Sequence, residues 1–201
     1  MKKISVLDRI LLLATVLMAA YQISFGFNDL NLLATWSYTI GFGILLVAGL
    51  LLIILGFEGL ESQIVVIVSS LIPLSISLGL IAEHLPKFTF TYLVFAILGF
   101  TAVAVTRYAA EGKTATIVLA VTHGIAGLLI TFLPIILSIQ GTVSAGYFLV
   151  GLGGALIGLG GLLLTFLKAG KPILPRETIL SVLPGLLLLM TAAYLAGFML
   201  K

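Results

Sequence analysis

Charge is scarce in this sequence, because Asp, Glu, Lys and Arg together make up only 8% of its 201 residues. An ordinary soluble domain is about 25% charged. So few charged side chains do not cover a water-facing surface, and 61% of the chain is hydrophobic. The composition therefore predicts a protein of the cell membrane whose surface contacts the lipid bilayer, with a single transmembrane domain over residues 1–201.

Cysteine is absent altogether. Its absence excludes disulfides, thiolate metal sites, cysteine-ligated iron–sulfur clusters and dithiol redox chemistry. Basic residues do not cluster among aromatic residues, so no nucleic-acid partner is predicted. The sequence also lacks Gly-x-Ser-x-Gly and His-Glu-x-x-His, which excludes intramembrane proteases of those kinds. These absences predict a protein that is not an enzyme and binds no metal.

Seven apolar stretches are long enough to cross a bilayer, which takes roughly 20 residues. Backbone groups in hydrocarbon must be hydrogen-bonded within their own segment, so each stretch is predicted to be a helix. The fifth and sixth stretches share one uncharged run, which we divide at the turn residues of 138–142. The predicted spans are Ile10–Phe27, Leu33–Phe57, Ile64–Ala82, Phe90–Thr106, Thr116–Ser138, Val143–Leu167 and Thr178–Leu200. The fold class is therefore an all-α bundle of seven transmembrane helices.

Basic residues fall mainly on one side of this topology, and cytoplasmic loops carry the excess of Lys and Arg. The orientation that follows has the N-terminus in the cytoplasm and the C-terminus outside. A signal peptide is the alternative for the first span, but Met18 stands where a cleavage site needs a small residue. The inner side then holds Lys2, Lys3, Arg9, Arg107, Lys113, Lys168, Lys171 and Arg176, and the outer side holds Lys87 and Lys201.

Aromatic residues crowd the predicted outer ends of the spans. Trp and Tyr are enriched at membrane–water interfaces, so these residues are predicted to form an interfacial belt. The belt comprises Tyr21, Phe25, Phe27, Trp36, Tyr38, Phe88, Phe90, Tyr92, Tyr147 and Phe148.

An internal repeat is a further hypothesis. The sequence Gly-Leu-Leu-Leu at residues 49–52 recurs at residues 161–164, 112 positions later, and Ser69 and Ser181 have the same offset. The implied plan is three helices, one linking helix and three helices in a parallel repeat; chance matching of a Leu- and Gly-rich chain is the alternative. In topology alone this plan is similar to small sugar carriers with parallel triple-helix repeats, whose Pro-Gln signature is absent here.

Ionisable groups inside a membrane are candidate functional residues, and His123 in the fifth span is nearly the only one. Ser69 and Ser70 of the third span and Ser181 of the seventh lie in the same inner half. These four residues are predicted to line a small polar cavity. The three spans that carry them each contain a proline that can kink the helix, at Pro73, Pro134 and Pro184. The alternative is that His123 bonds to a neighbouring helix and the serines serve ordinary packing.

The two histidines do not share a haem iron in this topology. At 1.5 Å per residue, His84 lies about 30 Å and His123 about 12 Å from the inner surface, whereas bis-histidine ligands need a similar depth. A haem or quinone at His123 alone stays a hypothesis without an identified partner ligand. Glu83 and His84 are predicted to form an outer-surface pair, with a solvated helix end as the alternative.

The sixth span is rich in glycine. Gly154, Gly158 and Gly161 are predicted to form a helix-packing face, because small residues let helix backbones approach closely in lipid. The face favours contact with other membrane subunits or self-association. The sequence thus favours a non-catalytic subunit of a larger membrane assembly, for instance a respiratory one. A carrier or channel for a small uncharged solute is the second hypothesis, and a haem- or quinone-binding protein is the third.

Overall fold

The computed structural model describes residues 3–27, 30–109, 113–168 and 172–201, and these residues form helices and turns without any strand. Lys2 and Lys171, which contribute to the predicted orientation, lie outside these ranges. Short 3-10 helices at Gly56–Glu61, Pro86–Phe88 and Ala145–Tyr147 adjoin the longer helices. The α-helices are α1 (Val6–Phe25), α2 (Leu32–Leu55), α3 (Gln63–Ser69), α4 (Leu71–His84), α5 (Thr89–Ala109), α6 (Thr114–Ile139), α7 (Phe148–Lys168) and α8 (Arg176–Met199).

Seven helical segments of the described chain are long and apolar enough to cross a membrane. They indicate a multi-pass membrane protein, and each overlaps one of the predicted spans, so the predicted all-α bundle is confirmed. The third span consists of α3 and α4. The helix breaks at Ser70, close to Pro73, which has no amide proton to donate to the Ser69 carbonyl.

Local signals set several helix boundaries. Ser5 and Asp8 form a capping box at the start of α1: the Asp8 amide donates to Ser5 Oγ at 3.1 Å, and the Ser5 amide donates to Asp8 Oδ2 at 2.9 Å. Gly141 lies in the turn after α6 with a φ of 69°, a left-handed conformation that favours glycine. The predicted division between the fifth and sixth spans is therefore confirmed.

Six of the spans close into a ring. Neighbours around it are α1 and α2, α2 and α4, α4 and α6, α6 and α7, α7 and α8, and finally α8 and α1. Helix α5 packs outside the ring against α4 and α6. We call α1–α4 the first unit and α6–α8 the second unit, with α5 connecting them along the chain.

The two ends of the ring differ. At the Glu83 end, which holds the last turn of α4 and the last turn of α8, aromatic rings of the two units pack together. Phe198 of the second unit has its ring centroid 4.7 Å from that of Tyr38 and 5.4 Å from that of Phe27. At the opposite end, the Glu61 end, Phe57 packs against buried leucines of α8.

The predicted aromatic belt is only partly present. Trp36, Phe90 and four other members are exposed on the outside of the bundle. Tyr38 and Tyr147 are fully buried and Tyr92 is nearly so. Their assignment to the belt was wrong, because these three tyrosines face neighbouring helices and pack or hydrogen-bond there.

Candidate functional site

At the Glu83 end of the bundle an acid and a base are enclosed together. The Glu83 side chain is only 8% exposed. Its Oε2 accepts a 2.7 Å hydrogen bond from the Tyr38 hydroxyl, and its Oε1 is ion-paired with the Lys201 ammonium. A carboxylate is costly to remove from water unless it is paired and hydrogen-bonded, and this one is both.

His84 extends the same cluster. Its side chain is 10% exposed, and its Nε2 lies 3.0 Å from the Tyr147 hydroxyl and 3.4 Å from Glu83 Oε1. The predicted pair of Glu83 and His84 therefore turns into the protein, whereas a solvated helix end would leave both side chains in water. We call Tyr38, Glu83, His84, Tyr147 and Lys201 the polar cluster.

The polar cluster joins the two units of the ring. Glu83 and His84 come from α4 of the first unit, while Tyr147 precedes α7 and Lys201 follows α8 in the second unit. Both the Glu83–Lys201 ion pair and the His84–Tyr147 hydrogen bond therefore cross between the units. We call these contacts of the polar cluster between the two units the clasp.

A shallow open depression of about 330 Å³ lies directly over the clasp. Asn31 is held at its rim, because its Nδ2 donates to the Ala82 carbonyl at 2.9 Å. The depression has both polar and apolar walls, and its lining residues are Leu30, Asn31, Glu83, His84, Thr142, Val143 and Lys201.

The four residues of the predicted polar cavity do not hydrogen-bond to one another. Ser70 is fully buried, but its hydroxyl donates to the Ile67 carbonyl at 2.6 Å. Ser181 is exposed, and its hydroxyl donates to the Glu177 carbonyl at 2.6 Å. Ser69 is half-buried beside the α3–α4 break. Nδ1 of His123 is buried and makes no hydrogen bond to any of these three serines.

The glycine face on α7 divides between two environments. A Cβ on Gly154 would lie 2.8 Å from the Ile130 side chain of α6, so this glycine serves a close contact within the chain. Gly158 and Gly161 are exposed, and a Cβ on Gly158 would have no heavy atom within 4 Å. Gly154 of the predicted face therefore packs inside the bundle, whereas Gly158 leaves open space on the surface of α7.

Tyr38, Tyr147 and Lys201 of the polar cluster were missed as site residues by the sequence analysis. Their aromatic and basic character at span ends is equally typical of interfacial anchors. The spacing of Gly79 and Glu83, one turn apart on α4, carried a usable signal, because a glycine next to a buried acid leaves room for a large partner.

Comparison with known proteins adds no functional assignment. No protein-family model, no curated protein and no solved structure matches this chain.

Proposed function

We propose that the chain is a carrier for a small uncharged solute whose path runs between α6 and α7. The observation that carries the proposal is the contrast between the two ends of the contact between α6 and α7. Near the Glu83 end the backbones of α6 and α7 touch, whereas towards the Glu61 end glycines on the same two helices face open space.

Glycines on the facing surfaces of α6 and α7 indicate how far apart the two helices lie at each level. A Cβ on Gly151 would lie 2.5 Å from the Thr131 carbonyl oxygen, so the backbones touch at this level. Two turns further along α7, Gly158 has no heavy atom within 4 Å of an added Cβ, and neither does Gly127 on α6. A contact that is tight at one end and open at the other gives a cleft between the helices.

A parallel repeat would relate the two units to each other, and the order of helices around the ring is compatible with one. Gly41 and Gly153 are 112 positions apart, the offset of the predicted repeat. A Cβ on Gly41 would lie 2.8 Å from Ile76 of α4, and one on Gly153 would lie 2.6 Å from Tyr194 of α8. Each glycine lets the second helix of its unit approach the third.

The solute is proposed to be uncharged because, along the described helices α6 and α7, His123 is the only ionisable residue before Lys168. His123, one turn from Gly127, is the ionisable residue at this level of α6, and the cluster at the Glu83 end neutralises itself. In the orientation that the basic residues predict, the tight contact at Gly151 lies towards the outside and the open glycines face the cytoplasm.

Single-cysteine labelling tests this proposal, since the chain has no cysteine of its own. A charged, membrane-impermeant methanethiosulfonate needs water to reach an ionised thiol. Gly158→Cys is expected to react in inside-out vesicles, whereas Ala126→Cys, which is fully buried, is expected not to react. Proteoliposomes with wild-type protein should swell faster in glycerol or erythritol than empty liposomes, and modified Gly158→Cys should not. An unreactive Gly158→Cys together with no accelerated swelling would rule the carrier out.

A subunit of a larger assembly is the second candidate, favoured by the open glycine at Gly158 and by the exposed faces of α5 and α6. Small residues on an exposed membrane helix fit a second helix at short distance. A stoichiometric second polypeptide should then co-purify in mild detergent. Gly158→Leu should release that polypeptide, whereas Gly43→Leu, another open position on α2, should retain it. A lone, monodisperse wild-type chain would exclude this candidate.

A further inference from the structure

The parts of the polar cluster are held with unequal firmness. Tyr38 and Tyr147 are fully buried among aromatic rings, and Glu83 and His84 belong to the last turn of α4. Lys201 comes from the non-helical stretch after α8, and its side chain is 31% exposed. The anion, Glu83, is therefore held within a helix, whereas the cation, Lys201, is the most exposed residue of the cluster.

Without the Lys201 ammonium, the other four residues of the polar cluster would form an enclosed site that favours a cation. The Glu83 carboxylate would stay enclosed between the Tyr38 hydroxyl and the His84 ring, and it would lack the lysine charge. Leaving an enclosed charge unpaired is strongly unfavourable. An ammonium group from solution would remove that cost by the same contact that Lys201 makes.

The adjoining depression indicates which ammonium compounds fit. Its volume of about 330 Å³ is at the lower end of the range for small-molecule sites, roughly 300–1,000 Å³. Leu30 and Val143 offer apolar contacts, while Asn31 and Thr142 offer hydrogen bonds. A primary ammonium on a short alkyl chain matches this lining better than a bare metal ion, because the described residues contain no cluster of three or more metal-ligating side chains.

We propose that Glu83 and the depression above it form a binding site for a small primary ammonium compound, whose charged group takes the place of Lys201. Lys201 then acts as an internal ligand that keeps the site filled when the compound is absent. The proposal concerns binding at the Glu83 end, so it holds or fails independently of solute transport.

Thermal unfolding of the purified protein in detergent, titrated with propylammonium chloride at neutral pH, tests the proposal. Lys201→Met removes the internal ligand but keeps an unbranched side chain, and it is expected to unfold at a lower temperature. Propylammonium should restore this temperature saturably, with an apparent Kd at least tenfold lower for Lys201→Met than for the wild type. Tetramethylammonium and sodium chloride at equal ionic strength should not, because neither carries an N–H donor.

Two further variants distinguish the site from a general salt effect. Lys87→Met removes an exposed lysine at the same end of the bundle, so it should respond like the wild type. The double variant Glu83→Gln/Lys201→Met removes both charges together, which folded proteins often tolerate, and it should show no response. The proposal is overturned if Lys201→Met responds no more strongly than Lys87→Met, or if the double variant keeps the response.

Discussion

The ring of Tyr38 on α2 lies directly against Gly79 on α4, where an added Cβ would be 2.5 Å from a ring carbon. Gly79 is one helical turn before Glu83, so the two residues share a face of α4. The missing side chain at Gly79 lets the phenol lie along the helix and reach the Glu83 carboxylate with its hydroxyl. The glycine thereby positions one half of the clasp.

Substituting Gly79 should therefore disturb both packing and the polar cluster. Gly79→Ala is expected to destabilise the protein by about 1–3 kcal/mol, because an extra methyl group in a packed interior displaces its neighbours. Thermal unfolding in detergent measures the effect. Gly43→Ala is the matched control, since its Cβ would meet no heavy atom within 4 Å, and it should be neutral or stabilising by up to about 1 kcal/mol. Equal behaviour of the two variants would contradict this account of Gly79.

The His84–Tyr147 hydrogen bond should contribute to holding the two units together. Tyr147→Phe keeps the buried ring but removes the hydroxyl that lies 3.0 Å from His84 Nε2. Loss of such a bond costs about 1–3 kcal/mol when the remaining group is left enclosed without a partner. Tyr108→Phe, at an exposed position, should leave the unfolding temperature unchanged. A Tyr147→Phe variant as stable as Tyr108→Phe would show that the bond adds nothing to stability.

Two acidic residues that form ion pairs between the same two units should respond very differently to neutralisation. Glu61 and Arg176 meet at 2.7 Å with side chains 59% and 50% exposed, so Glu61→Gln should cost no more than about 1 kcal/mol. Glu83→Gln leaves Lys201 without its counter-charge and weakens the bond from Tyr38. It should cost about 2 kcal/mol or more, below the values for fully buried pairs because Lys201 is partly exposed. If both variants lost a similar amount of unfolding free energy, the Glu83–Lys201 pair would stabilise the protein no more than an exposed ion pair does.

The number and type of the spans could be predicted from the sequence because burial in lipid requires long apolar runs and helical backbone bonding. The turn at Gly141 was predictable for a similar local reason, since turn residues interrupt an apolar run there. Pro73 likewise indicates a weak point in the third span, although the break itself falls at Ser70.

The polar cluster could not be assembled from the sequence, because it depends on contacts between distant helices. Glu83 and Lys201 are 118 positions apart, and nothing in their neighbourhoods pairs them. Tyr38 and Trp36 carry the same aromatic signal at one helix end, yet Tyr38 is buried and Trp36 is exposed. Rotational position relative to neighbouring helices decides this difference, and hydropathy does not encode it.

The topology makes a separate prediction about the sides of the membrane. With seven spans, Thr142 in the turn after α6 and Ser62 between the 3-10 helix and α3 lie at opposite ends of the bundle, and both are exposed. In the orientation that the basic residues predict, an impermeant maleimide should label Thr142→Cys in intact cells. It should label Ser62→Cys only after the cells are made permeable.

Each labelling variant serves as the other's control, because the wild-type chain contains no thiol. Labelling of Ser62→Cys alone in intact cells would reverse the orientation but keep the seven spans. Labelling of both positions, or of neither, would instead contradict the odd number of helices that separates them, since Ser62 and Thr142 are joined through the third, fourth and fifth spans. The experiment thus tests the orientation and the span count with different outcomes.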